Sequence, residues 1–339
     1  EFQLFDNDLL LEASNNLVKS IVLEAEHEIQ LDASQHINGG INFINNTAVS
    51  NNFEEVLQRY QYAAFLLYSK NWNDRFKTNI SGRGTYINDL DISNFSGEVS
   101  QSWQALDQLG FELAFSKNFK APTFNDLYWP NSGNPNLQPE NGYNLEFNSR
   151  WNYQIDSWKM SQHLTGFSNH ISNWIQWLPV PPDGQFRPVN HKFVWSRGIS
   201  AGISAEKAWK DWNLEAGLQY TLTKSTVLST NDEDPNKVNQ QLIYVPLHAG
   251  KANVSVQYKK WSFDYLHHLV GSRFTNPYNT SSISGFQTAD LNVDYSWKMD
   301  DKEVLIGAGI QNLWNKEYEI VAYYPMPPRS FSLSLNYRY

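Results

Sequence analysis

Apolar and polar side chains alternate with a period of two residues over long stretches of this chain. The alternation is strict from Phe331 to Tyr339, where Phe, Leu and Tyr take the odd positions and Ser, Asn and Arg the even ones. Successive side chains of a β-strand point to opposite faces, so this pattern predicts a strand with one apolar and one polar face. The pattern recurs over residues 143–153, 213–222 and 291–298. No stretch keeps a helical period, and the sequence therefore predicts an all-β chain.

The patterned stretches are too long for a soluble sandwich, whose strands have about 5 or 6 residues. Strands of about 9 to 11 residues with one apolar and one polar face are typical of a membrane barrel with a wet interior. A membrane-spanning helix is excluded, because the mean hydropathy is -0.54 and no run approaches ~18 consecutive apolar residues. We therefore predict a transmembrane antiparallel outer-membrane β-barrel whose apolar face contacts outer-membrane lipid.

Composition excludes several other classes. The 26 basic against 35 acidic residues give a net charge of -9, which argues against a nucleic-acid partner. Aromatic residues make up 15% of the chain, far too many for a disordered acidic segment. With no cysteine, the chain has neither a disulfide framework nor a thiolate metal site.

Short polar turns alternate along the chain with much longer connections. With the C-terminal strand, the turns define fifteen strands, or sixteen if residues 1–13 form another. One short end and one long end is the asymmetry of outer-membrane barrels, with turns in the periplasm and loops outside the cell. The predicted turns are 31–34, 71–74, 105–107, 154–156, 210–211, 259–260 and 299–301, and the predicted long connections include 120–140, 178–190, 229–244 and 275–284.

Seven of the 13 tryptophans lie beside or within the predicted short turns. Indole rings favour the level where lipid tails meet headgroups, so this placement indicates an interfacial girdle. The alternative is that tryptophan favours strand ends in any all-β protein. The seven are Trp72, Trp103, Trp158, Trp209, Trp212, Trp261 and Trp297.

The residue spacings fit catalytic and metal-binding motifs poorly, and we therefore expect no enzymatic activity, metal site or cofactor. His267 and His268 are adjacent on a strand and point to opposite faces, so they cannot chelate one ion together. Gly307-x-Gly309 lies within a strand and lacks the following helix of a dinucleotide loop. Residues 232–234 (Asp-Glu-Asp) are expected to form a solvated loop, and the alternative is a Ca²⁺ site. Residue spacing alone does not exclude an outer-membrane lipase or protease.

Two segments carry a family resemblance. The first, residues 111–147, has Ser116-x-x-Phe119-Lys-Ala-Pro122, then Leu127-Tyr128, then Gly133-Asn-Pro-x-Leu-x-Pro-Glu140. The second, residues 310–339, has Gln311-Asn-Leu-Trp-Asn-Lys-Glu-Tyr318, then Tyr324, Arg329 and an aromatic last residue. Both resemble TonB-dependent outer-membrane receptors, and Tyr244-Val-Pro-Leu-His248 is similar to a motif that opens strands in that family. Pro328 departs from the family pattern, which usually has Gly before the Arg.

The resemblance implies a 22-stranded barrel plugged by an N-terminal domain and driven from the inner membrane through TonB. On this interpretation, residues 1–339 are the C-terminal part of the receptor barrel, and the plug and first strands are absent. The residue pattern of both segments is most similar to that of the vitamin B12 receptor branch, and siderophore or haem receptors are the alternative. A TonB contact through the plug and a surface lipoprotein are the implied protein partners. A passive porin-like channel and a barrel enzyme are the alternatives from other classes.

Ligand contact in such a barrel is expected from aromatic and polar residues of the long loops. Each candidate has the alternative of an upper-girdle aromatic or an exposed loop tip. The candidates are Tyr128, Trp129, Asn131, Trp174, Trp177, Phe186, Arg187, Tyr278, Tyr323 and Tyr324.

Two further expectations concern the strands. Residues 140–339 should form nine long antiparallel strands, with odd positions such as Tyr143, Leu291 and Phe331 facing lipid. Tyr339 should end the last strand at the periplasmic rim.

Overall fold

One antiparallel sheet of fifteen strands contains most of the chain, and each strand pairs with its neighbours in sequence. The computed structural model describes residues 5–6, 9–10, 16–50, 53, 55–180, 182, 184–230, 234–299 and 302–338. The sheet strands are β1 (Asn16–Asp32), β2 (Gln35–Ser50), β3 (Leu57–Asn73), β4 (Phe76–Ile87), β5 (Ile92–Leu106), β6 (Leu109–Lys120), β7 (Glu140–Ile155), β8 (Trp158–Val180), β9 (Gln185–Trp209), β10 (Trp212–Ser229), β11 (His248–Tyr258), β12 (Trp261–Val270), β13 (Phe286–Met299), β14 (Lys302–Gln311) and β15 (Ser330–Arg338).

Helix is confined, in the described ranges, to α1 (Phe124–Tyr128) and the 3₁₀ turn Pro235–Lys237. None of the helices found in this part of the chain has the length and apolarity to cross a membrane. Short strand pairs stand apart from the sheet: Phe5–Asp6 with Leu9–Leu10, Arg273–Phe274 with Ser282–Ile283, and Glu319–Val321 with Tyr324–Pro325.

The strand count and turns largely confirm the predicted organisation. The nine predicted strands over residues 140–339 are β7 to β15, and every predicted short turn lies at the junction of two consecutive sheet strands. The strands extend into several of these turns, as β3 does as far as Asn73, and residues 300 and 301 lie outside the described residues. Tyr339, the predicted end of the last strand, lies outside the described residues. Among the described residues no sixteenth strand joins the sheet, and the four described residues of the segment 1–13 pair with each other.

One long connection was predicted wrongly. Residues 178–190 are mostly strand, because β8 and β9 continue pairing from Trp174↔His191 as far as Val180↔Gln185. Proline and aromatic residues interrupt the alternation there, so the sequence pattern did not indicate the strand extension.

The sheet has the two predicted faces. Tyr143, Phe147 and Phe331 are exposed on the apolar face, while Leu291 is half-buried there. Odd numbering does not mark this face throughout, since Leu218 and Ile306 are also exposed on it. Cross-strand partners share a face, and the Val254↔Tyr265 and Leu291↔Ile310 pairs each join an even to an odd residue. The parity therefore changes from strand to strand.

Aromatic rings form ladders on the apolar face near the short turns. The ring centroids of Phe76 and Trp103 are 6.0 Å apart, and those of Trp103 and Phe111 are 5.5 Å apart. Trp212 lies 4.2 Å from the Tyr258 ring and 6.0 Å from Trp209. The ladders bring three of the predicted girdle tryptophans, Trp103, Trp209 and Trp212, to the short-turn end of the sheet.

On the polar face, neighbouring strands are joined by side-chain hydrogen bonds and by aromatic rings that pack over glycines. Asn42 donates to Glu24 and accepts from Arg83 across β1, β2 and β4. A Cβ on Gly40 would meet the Phe65 ring at 2.8 Å, and a Cβ on Gly198 would meet the Phe167 ring at 2.6 Å. Glycine at these two positions lets each ring lie flat against the neighbouring strand.

β1 and β15 are the edges of the sheet, and every residue in both strands is exposed. Each has a single partner strand among the residues that the structure describes. Their outer backbone N–H and C=O groups are therefore available for pairing with further strands.

Candidate ligand-binding site

The long loop 121–139 is attached to the sheet by a buried arginine. Arg59, on β3, is 6% exposed and makes three hydrogen bonds of 2.7 to 2.9 Å to the carboxylate of Asp89. Its Nη1 donates to the Pro122 carbonyl at 2.7 Å, and its guanidinium lies 4.9 Å from the Phe124 ring. The ion pair thus holds the start of the loop against two strand ends.

Helix α1 begins with a capping box. The Thr123 hydroxyl accepts from the Asp126 backbone N–H at 3.2 Å, and the Asp126 carboxylate accepts from the Thr123 N–H at 2.9 Å. These two bonds satisfy N–H groups that a helix start otherwise leaves unpaired. The other oxygen of the buried Asp126 accepts from the indole Nε1 of Trp177 at 2.9 Å. Asp126 therefore joins α1 to the extended hairpin of β8 and β9.

The extended hairpin and the loop also share an apolar contact and several amide bonds. Leu127, Leu137 and Ile175 form a buried cluster. Asn190 accepts from the Gln138 N–H at 2.9 Å and donates to its carbonyl at 3.0 Å. Loop and hairpin together form one fixed platform, which we call the outer platform and define as residues 121–139 with the described residues of 173–191.

A second group of loops continues from the platform. Trp174 packs against Val194, Val227 and Leu242, which connects the hairpin to the loop after β10. Asn279 donates to the Gln241 carbonyl at 2.9 Å and accepts from its N–H at 2.8 Å, which connects that loop to the loop after β12.

Arg273 connects the loop after β12 to the last loop. This arginine is 3% exposed, donates to the carbonyls of Ser284 and Glu319, and lies 5.0 Å from the Phe286 ring. Burial lowers the pKa of its guanidinium from the usual value. The long loops therefore form a continuous series of contacts along one end of the sheet, which we call the outer arc.

An acidic residue of the outer arc is held ionised by its neighbours. The pKa of the Asp234 carboxyl lies below its usual range, chiefly because the Asn236 backbone N–H donates to it. The Tyr278 hydroxyl donates to the same carboxylate at 3.1 Å, and Lys237 lies 3.9 Å away. Asp232 and Glu233, the other members of the predicted acidic loop, lie outside the described residues.

We expect acid to release this contact. A carboxyl with a lowered pKa stabilises the fold at neutral pH, and the contribution is lost as the pH falls through that pKa, below the usual 3.8. Carboxyl NMR of Asp234 should therefore give a midpoint below 3.8, and Tyr278→Phe should raise it. Tyr323→Phe, on another loop, is the matched control. A wild-type midpoint at or above 3.8 would contradict the assignment.

The structure brings part of the predicted ligand set together. Tyr128, Trp129, Asn131, Trp177, Phe186 and Arg187 belong to the outer platform, and Tyr128, Trp129 and Phe186 are 38%, 41% and 46% exposed. Tyr278 lies in the loop after β12 and contacts Asp234. Tyr323 and Tyr324 form a separate tip, 92% and 70% exposed. The structure places Tyr278, Tyr323 and Tyr324 on other segments of the outer arc.

For two of the candidate residues, contacts within the protein account for the position of the side chain. Trp174 is partly buried against an apolar cluster, and Trp177 is oriented by Asp126. Sequence reasoning missed Arg59, Asp89, Asp126 and Arg273. Of these, only Asp126 had a local signal, the Thr-x-x-Asp capping box at 123–126. No group of three or more His, Asp or Glu able to hold a metal is present in the described ranges.

Comparison with known proteins defines the class. A model of the family described as TonB dependent receptor-like, beta-barrel matches residues 5–313. The chain belongs to this family, as its sequence signatures predicted. It is an outer-membrane protein with the family's antiparallel barrel fold.

Relatives at sequence level include vitamin B12 transporters. The BtuB transporter of Photobacterium profundum is 27% identical over 257 residues, which cover 74% of this chain and 39% of that protein. The BtuB transporter of Vibrio vulnificus is 28% identical over 243 residues, which cover 69% and 35%. The chain thus spans less than half the length of these relatives.

Solved receptor structures share the fold. The ferric enterobactin receptor mutant from Pseudomonas aeruginosa superposes with a TM-score of 0.69 at 14% identity, covering 94% of this chain and 54% of that one. The copper transporter OprC has a TM-score of 0.69 at 16% identity, covering 94% and 56%. The relatives and neighbours named here are transporters and receptors.

Proposed function

We propose that this chain is the C-terminal part of an outer-membrane receptor for the energised uptake of vitamin B12. The similarity to vitamin B12 transporters over 257 residues is the observation that carries the proposal. The outer platform supports it, because its fixed frame carries exposed aromatic rings and the exposed Asn131. Large ring-shaped ligands with apolar faces and amide rims suit such surfaces, since stacking area comes with polar groups at low entropy cost.

The open edges of the sheet support the proposal that further strands complete the barrel. An unpaired strand edge in lipid leaves backbone groups unsatisfied, so β1 and β15 require partners. We propose that strands outside this chain join the two edges, and that an N-terminal plug fills the lumen and contacts TonB. The apolar face with its aromatic ladders would contact outer-membrane lipid, and a surface lipoprotein on the loop side is a further candidate partner.

Calorimetry of the intact receptor tests the ligand. We expect saturable binding of cyanocobalamin and none of haem or a ferric siderophore. Saturable binding of either iron ligand without cobalamin would overturn the vitamin B12 assignment and leave the receptor class in place.

A single aromatic residue tests the position of the site. Trp129→Ala should weaken cobalamin binding by about 1 to 3 kcal/mol, because truncation of a central aromatic anchor costs that much in typical interfaces. Trp72→Ala is the matched control, since Trp72 is 61% exposed and lies at the short-turn end of β3. Equal affinity in both variants and the wild type would place the ligand elsewhere.

The proposal describes a transporter without catalytic activity. A passive porin-like channel would instead give steady, open conductance of the full-length protein in a planar bilayer. A barrel enzyme would hydrolyse lipid or peptide and lose turnover on replacement of one Ser or His. Either result would replace the uptake proposal.

A further inference from the structure

A groove of about 760 Å³ crosses the apolar face of the sheet. Its floor contains Gly250 and Ala252 on β11, which leave a depression between the larger side chains of β10 and β12. Tyr220 pairs with Gly250, and Gly250 pairs with Leu269, so all three lie on the same face. Leu218 and Leu269 are exposed along its sides. The groove is therefore continuous with the face that the family fold directs to the membrane.

Two hydrogen-bonded imidazoles flank the groove, although this face is otherwise mainly apolar. The Tyr220 hydroxyl lies 2.6 Å from Nδ1 of His248, the first residue of β11. On the other side, the Tyr265 hydroxyl lies 3.0 Å from Nδ1 of His267, whose Nε2 lies 3.2 Å from Oε1 of Gln287. His248 and Gln287 stand where their strands begin, at the long-loop end. This level is where a lipid headgroup meets water.

The hydrogen bonds constrain the proton positions on the two imidazoles. The Tyr220–His248 contact fits either imidazole tautomer, and when the phenol donates to Nδ1 the imidazole proton is on Nε2. No described residue accepts from that Nε2–H. In His267, Nε2 donates to the Gln287 oxygen and Nδ1 accepts from Tyr265. In this tautomer, His248 has one donor without a partner among the described residues, at the long-loop end of the strand that forms the groove floor.

We propose that this groove binds a phosphate-bearing membrane lipid, with an acyl chain between Tyr220 and Leu269 and the phosphate on Nε2–H of His248. The groove lining includes hydrogen-bond donors and no carboxylate, which fits an anionic headgroup. An acyl chain in the groove covers apolar surface next to a floor too small to fill it. The site lies on the outside of the wall, away from the outer platform.

Native mass spectrometry of the delipidated full-length receptor tests the proposal. The probes are palmitoyl-oleoyl phosphatidylglycerol and palmitoyl-oleoyl glycerol, which share acyl chains and differ in the phosphate headgroup. The wild type should bind the phospholipid more tightly. His248→Phe should lose about tenfold in affinity for it, as expected for one hydrogen bond to a charged group. His170→Phe, an exposed imidazole of the same face stacked at 5.3 Å on Trp195, is the control and should bind as the wild type does.

Filling the groove tests the acyl chain separately. A Cβ on Gly250 makes only ordinary contacts, 3.6 Å or more from its neighbours, and a Cβ on Gly166 meets nothing within 4 Å. Gly250→Phe should weaken both lipids, whereas Gly166→Phe should change neither. The proposal is overturned if the wild type does not prefer the phospholipid, if His248→Phe binds normally, or if the groove binds a second receptor copy instead. Cobalamin binding should be unchanged in all four variants, so failure here is distinguishable from failure of the uptake proposal.

Discussion

Deletion of residues 330–339 is expected to abolish assembly of the receptor in the outer membrane while leaving its export intact. β15 makes nine cross-strand pairs with β14, from Gln311↔Ser330 to Glu303↔Arg338. Without them, the edge of β14 would face lipid with unpaired backbone groups, each costing several kcal/mol. The measurement is the fraction of full-length receptor in outer membranes and its surface labelling, compared with soluble periplasmic material.

Two point variants separate the strand's faces. Leu333 lies on the apolar face and is 88% exposed, so Leu333→Arg should impair insertion by about 2 to 4 kcal/mol if it reaches the bilayer midplane. Ser334 points to the opposite face, and Ser334→Arg should insert normally. Normal surface display of the deletion, or equal insertion of the two arginine variants, would refute this assignment of β15.

Replacement of Arg59 by Ala should detach the outer platform from the sheet. The variant leaves the largely buried Asp89 carboxylate without its cation, and breaking a buried pair in this way typically costs about 3 to 5 kcal/mol. The Pro122 carbonyl also loses its donor. Hydrogen exchange of the amides in 123–128 should accelerate strongly, and ligand affinity should fall because the platform is no longer preorganised.

A surface ion pair provides the control. Lys159 and Glu206 lie 3.8 Å apart with both side chains well exposed, so Lys159→Ala should change stability by no more than about 1 kcal/mol. A double-mutant cycle of Arg59→Ala with Asp89→Ala measures the coupling directly. Unchanged exchange in 123–128 after Arg59→Ala would show that the loop is held by the apolar cluster alone.

The sequence predicted those parts of the structure that are determined by residues close together in the chain. Alternation gives the strands, and polar residues between alternating stretches give the short turns, because both signals lie within a few residues. The bonds from Arg59 to Asp89 and Pro122 join positions 30 and 63 residues apart, and no local pattern marks them. Trp174 is a second example. Its position in a predicted loop indicated ligand contact, but its side chain is partly buried because it packs against residues of later strands.

The flat rings of Phe65 and Phe167 affect the free diameter of the barrel. Because each ring lies over a glycine of the neighbouring strand, its bulk occupies the thickness of the wall instead of the interior. A larger residue at Gly40 or Gly198 would collide with the ring and also with a backbone carbonyl of the strand on the other side. The clearance for anything that occupies or crosses the lumen is therefore set partly by residues that have no side chain.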